Sequence, residues 1–87
     1  MRLDLFLKLV GAAKTRSQAT RLLQTGRVTL GDRAIKSSHE VAVGEKYVLQ
    51  RLAGKDEYEV LAIPPGVSLS KKDRIHFVKV EKTHEEF

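Results

Sequence analysis

With 87 residues, 41% of them hydrophobic and 31% charged, and no cysteine, the chain fits one small domain with too thin a core to wall in an enzyme pocket, and it can form no disulfide, thiolate zinc site or thiol nucleophile. Its formal charge of +5 is segregated: residues 1–38 hold eight Lys/Arg against Asp4 and Asp32, a net of +6, whereas residues 39–87 hold eight Lys/Arg against nine acids, a net of −1. Like charges crowded on one small surface repel each other, so this pattern points to a polyanion partner.

The first segment, RLDLFLKLV, places Leu3, Phe6, Leu7 and Val10 at the i, i+3, i+4, i+7 spacing of a helix stripe, with Gly11 as its stop. Asp4 and Lys8 interrupt the apolar run, so it reads as neither a signal peptide nor a membrane span, and a cytoplasmic protein is expected. Thr15 and Gln18 form a T-x-x-Q capping pattern that opens a second helix. Ala19, Leu22 and Leu23 make its apolar back, and Gly26 is its stop. Arg16, Ser17, Thr20, Arg21 and Gln24 fall on the opposite face, towards solvent.

Val28 and Leu30 alternate with polar residues, Gly31-Asp32 signals a two-residue hairpin, and Ile35 lies on the return. Val43-Gly44-Glu45 reads as a turn before a strand over about 46–52; AGKD reads as a turn before a strand over EYEVLAI, which Pro64-Pro65-Gly66 ends. Ser70 and Asp73 resemble an N-cap and favour a short C-terminal helix through KKDRIHFVKV, although Ile75, Val78 and Val80 also suit a strand. EKTHEEF reads as a frayed end.

Catalysis finds little support. His39, His76 and His84 have no neighbours suited to a triad or a metal site, and HEEF lacks the second histidine of a zinc-protease helix. There is no glycine-rich phosphate loop, and Glu57 and Glu59 read as solubilising strand residues. No catalytic residue, metal or cofactor is therefore expected.

Anion binding finds more. Arg16 and Ser17 stand at the start of the second helix, where free N–H groups and the helix dipole favour an anion, and Arg21 follows one turn on. The plainer alternative is a solvated helix face, against which the segregated charge weighs. Arg2 has its own plain alternative, a pair with Asp4, and the case for Arg33 and Lys36 depends on the hairpin lying beside the second helix. None of the five aromatic residues interleaves with the basic cluster, which argues against a base-stacking platform and for recognition of a folded or double-stranded RNA by shape and backbone.

The order of these features resembles the S4-type (alpha-L motif) RNA-binding domain. The matching pieces are Arg2-Leu3-Asp4, Lys14-Thr15-Arg16-Ser17-Gln18-Ala19, Gly26-Arg27-Val28, the Gly31-Asp32 turn, Ser37-Ser38 and Val41-Ala42-Val43-Gly44-Glu45. Gly-Asp replaces the frequent Asn-Gly, and Ser37 stands where proline is common; both are compatible with turns. The resemblance implies an α+β fold in which two N-terminal helices pack on a small, mostly antiparallel sheet, with the short C-terminal helix appended. It covers a domain over 1–50; residues 51–87, which have no firm counterpart in the family, read as a strand-and-helix extension of the same compact unit. It is nearest to small stand-alone, ribosome-associated members of that family, those of heat shock and of ribosome quality control, though the long basic tail of some is absent.

The partners so implied are ribosomal RNA of the large ribosomal subunit and, beyond it, a stalled peptidyl-tRNA. The expected RNA contacts are Arg2, Lys14, Arg16, Ser17, Arg21, Arg33 and Lys36. A monomer that does not bind membranes is expected. The rival readings are a subunit that targets a separate modifying enzyme to RNA, and a helix-turn-helix DNA binder.

Overall fold

The computed structural model describes residues 1–66 and 68–84. Two helices, α1 (Leu3–Leu9) and α2 (Arg16–Gln24), precede the strands β1 (Val28–Leu30), β2 (Lys46–Arg51), β3 (Gly54–Val60) and β4 (Val78–His84). The strands form one antiparallel sheet in the order β1-β2-β3-β4.

The α1 stripe is buried as its spacing requires: Leu3, Phe6, Leu7 and Val10 all lie in the core, joined by Leu9. No side chain caps its start. The Leu3 and Asp4 N–H groups donate instead to the His39 and Ser37 carbonyls, at 2.9 and 3.1 Å, which fastens the 37–39 loop to the head of the helix. Gly11, at φ +84°, ends the helical run. A Cβ built there would lie 2.5 Å from Arg74 Nη1. Gly11→Ala would both press on that guanidinium and place a side chain on left-handed backbone. A loss of about 1–2 kcal/mol in unfolding free energy is expected by chemical denaturation; an unchanged midpoint would mean the backbone there is not strained by a side chain.

Thr15 caps α2 as expected, its Oγ1 accepting from the Gln18 N–H at 3.0 Å. The return bond is displaced by one residue, because Gln18 Oε1 accepts from the Lys14 N–H at 2.7 Å. At the other end the Arg27 N–H donates to the Leu22 carbonyl and the Gly26 N–H to Leu23, the paired bonds of a Schellman stop.

In the sheet, Val28, Tyr47, Leu49, Tyr58, Val60 and Val78 are buried with the helices' apolar residues in one core. Phe6 and Tyr47 meet with ring centroids 6.1 Å apart. The Tyr47 hydroxyl donates to Glu45 Oε1 at 2.7 Å, and the same carboxylate accepts from the Ala42 N–H and from His39 Nε2. This network satisfies the polar groups beside the core and fixes the Val41–Glu45 loop. The Gly31-Asp32 hairpin is a single bridge long, Leu30 to Arg33, because β1 takes β2 as its partner instead.

The C-terminal segment corrects the sequence reading. Ser70 and Asp73 do form a turn, with Ser70 Oγ donating to Asp73 Oδ2 at 2.9 Å, but only one 3-10 turn, Arg74–His76, follows it. The expected helix is absent. Val78 and Val80 lie in β4, which runs on through Glu81–His84 of the expected frayed end and pairs with β3 along its whole length. Without β4, the backbone groups on that side of β3 would lack partners, and an alternating, β-branched segment satisfies them better than a short helix can. Residues 85–87 lie outside the described residues. The strand expected over EYEVLAI ends earlier, at Val60.

Candidate nucleic-acid interface

Asp4 organises the basic corner. It sits in the first turn of α1 with its side chain only 5% exposed, while the Arg2 and Arg16 side chains beside it are 51% and 48% exposed. Arg2 donates from Nε and Nη2 to the two carboxylate oxygens at 3.3 and 3.2 Å, and Arg16 Nε is ion-paired to Oδ1 at 3.2 Å. The Leu5 N–H donates to Oδ1 at 2.8 Å, and Thr20 Oγ1 reaches Oδ2 at 3.5 Å. One buried anion thus holds two guanidinium groups from two helices and leaves part of each in solvent. Because Arg carries five N–H donors in a planar fork, such a pair can grip a phosphate while remaining anchored.

Burial by itself would raise the Asp4 carboxyl. The Arg2 hydrogen bond, the Leu5 N–H and the charges of Arg16 and Arg2 outweigh it and hold the group below its ordinary value of 3.8. Glu45 is likewise held below 4.5, since bonds from Tyr47, His39 and the Ala42 N–H overcome its burial. A depressed carboxyl contributes stability that is complete above its unfolded value and is lost as pH falls through the folded one. Unfolding free energy is therefore expected to decline as pH drops below 4.5. Urea unfolding at about pH 7 and about pH 3 checks this, and the shrinkage should be smaller in Glu45→Gln.

The other expected contacts are distributed around this corner. Ser17 and Arg21 are exposed and line a shallow hollow on the front of α2 with Thr15, Gln18 and Leu22. Lys36 shares a hollow with Leu23 and Gln24 at the end of α2, and the neighbouring Ser37 carbonyl accepts from the Asp4 N–H, so the loop after the hairpin does lie beside both helices. Arg33 joins Lys36 in an adjoining hollow with Leu30, Ile35 and His39. Lys14 departs from this grouping: it lines a separate hollow with Lys8, Lys71 and Arg74.

Two features escape the sequence reading. Asp4 is the hub of the arginine pair, for which the only local signal is the R-L-D order. Lys71 and Arg74 lie far along the chain from the basic segment and give no local signal. Phe6, Tyr47 and Tyr58 are buried, so these three rings are not available for base stacking; Phe87 lies outside the described residues. Among the described residues no cluster of three potential metal ligands occurs, and no helix is long and apolar enough to cross a membrane.

Comparison with known proteins agrees with this geometry. The S4 domain family profile matches residues 1–46. The RQC P-site tRNA stabilizing factors of Helicobacter pylori strains 26695 and J99 are each 39% identical to this chain over 85 residues, which is 98% of this chain and 100% of theirs. The solution structure of hypothetical protein HP1423 superposes with a TM-score of 0.77 at 34% identity, covering 97% of this chain and 100% of that one. Vibrio cholerae Heat Shock Protein 15, described as trimeric, has the same fold, with a TM-score of 0.82 at 21% identity over 93% of this chain and 81% of that one. Matched by the S4 profile over more than half of its length and by relatives 39% identical over nearly all of it, the chain belongs to the S4 domain family of RNA-binding domains.

Proposed function

We propose that this protein is a non-catalytic, cytoplasmic RNA-binding factor that engages structured ribosomal RNA on the large ribosomal subunit together with a stalled peptidyl-tRNA during ribosome-associated quality control. The observation that carries this reading is the Asp4-anchored arginine pair, whose guanidinium groups are held by a buried carboxylate while the two side chains stay about half exposed. Ser17, Arg21, Arg33 and Lys36 extend the cationic surface from it, and β3 and β4 share one sheet with β1 and β2. The relatives named for stabilising a P-site tRNA support the choice of target.

Phosphate contacts supply most of the affinity in such a surface, and they position the RNA without reading its sequence. If about four to six phosphates are neutralised, at about 0.9 in slope per phosphate, log affinity plotted against log salt should fall with a slope between about −3.6 and −5.4. Binding to purified large-subunit ribosomal RNA across a salt series tests this, and a flat response would sink the proposal. Duplex DNA at equal salt should compete poorly; equal competition would favour a DNA-binding role.

A further inference from the structure

A second basic hollow lies where the C-terminal segment crosses the end of α1. Lys8, Gly11 and Lys14 line it from the α1 side and Lys71 and Arg74 from the C-terminal segment, around a space of about 410 Å³. Four cations line it and no carboxylate does. Among the described residues none of the four is in an ion pair, a state that Arg21, Arg33 and Lys36 share; what sets the hollow apart is that four such cations meet in it. Cations converging without an anion repel each other unless something negative joins them.

The hollow is also built. Arg74 Nε donates to the Leu9 carbonyl at 3.2 Å, across 65 residues of chain, so the negative end of the α1 dipole holds the guanidinium in place. Its Nη1 lies 2.5 Å from where a Cβ on Gly11 would stand, too close for a side chain, so the glycine leaves room for it. One N–H of the fork is engaged and the others remain available to a ligand.

We propose that this hollow is a second phosphate-binding subsite, taking a backbone segment of the same RNA whose main contact is the Asp4-anchored pair. The inference rests on the RNA-binding reading above. It assigns to Lys8, Lys71 and Arg74 a role that the helical domain by itself could not supply, and it gives Lys14 its partners. Three lysines and one guanidinium anchored to the Leu9 carbonyl suit a phosphodiester rather than a base edge, because they offer charge without aligned acceptors.

The test compares two variants with the same net charge. Lys8→Gln/Lys71→Gln removes two cations from the hollow; Lys72→Gln/Lys82→Gln removes two exposed cations outside it. Each is titrated against purified large-subunit ribosomal RNA and against purified large subunits between about 50 and 200 mM salt. At about 0.9 in slope per phosphate, the hollow variant should have a slope shallower by about 1–2, so that wild type loses up to about tenfold more affinity than the variant over that range. The control pair should follow wild type. Equal effects from both pairs would overturn the subsite in favour of diffuse attraction. A silent hollow variant alongside a weakened Arg16→Ala would overturn it while leaving the proposed function standing. Unchanged binding to naked RNA with loss on whole subunits would overturn it in favour of an acidic protein surface. A wild type that does not bind RNA at all would overturn both.

Discussion

Arg16→Ala is expected to weaken binding to structured ribosomal RNA by about 1–3 kcal/mol, about five- to 150-fold. The guanidinium stands in the first turn of α2 with Nε tied to Asp4 and its side chain 48% exposed. A phosphate docking there gains a pre-oriented, charge-assisted contact and loses little side-chain freedom in forming it. Removing the side chain also leaves the Asp4 carboxylate balanced by Arg2 alone, so the local potential becomes less attractive to an anion. Lys79→Ala is the matched control. Lys79 lies on β4, paired to Glu81 at 3.3 Å, and its loss should leave affinity nearly unchanged. Fluorescence anisotropy with a labelled fragment of large-subunit RNA distinguishes the two, and equal losses would mean that only total charge matters.

Asp4→Ala is expected to lower unfolding free energy by about 1–3 kcal/mol. The Leu5 N–H in the first turn of α1 loses its acceptor, the helix start loses its anion, and two arginines lose their common anchor. Binding should change in a different way. Net charge rises by one, so affinity for any RNA at low salt should hold or increase. Discrimination between ribosomal RNA and an unrelated RNA duplex should fall, because the forks are no longer fixed in one arrangement. Chemical denaturation measures the first effect and competition binding the second. A variant as stable and as selective as wild type would make Asp4 a bystander.

Much of this fold is legible in the sequence because its signals are local. Thr15 and Gln18 mark the head of α2, Gly26 its end, and the Leu3-Phe6-Leu7-Val10 stripe the buried face of α1, each within a turn or two of chain. Segregated charge likewise marks residues 1–38, which hold both members of the Asp4-anchored arginine pair. What escapes is what depends on distant partners. The segment from Lys71 to Val80 is ambiguous on its own, and pairing with β3 decides it. Asp4 reads as a neighbour for Arg2, and only the packing of α1 on α2 brings Arg16, twelve residues on, to the same carboxylate. Lys14 reads with Arg16 by adjacency, whereas Arg74 and Lys71, reaching back from the C-terminal segment, draw its surroundings elsewhere.

RNA is expected to cover the arginine pair at the helix starts. Arg51 supplies an internal reference, since it is 52% exposed and paired to Asp56, which is only 4% exposed, much as Arg2 and Arg16 are paired to Asp4. Phenylglyoxal labelling of arginines, read by mass spectrometry with and without purified large ribosomal subunits, compares the three directly. Protection of Arg2 and Arg16 on the subunit, with Arg51 as reactive as in the free protein, is the expected result. Protection of Arg51 with Arg2 and Arg16 left reactive, or no protection of any of the three in the bound protein, would contradict it.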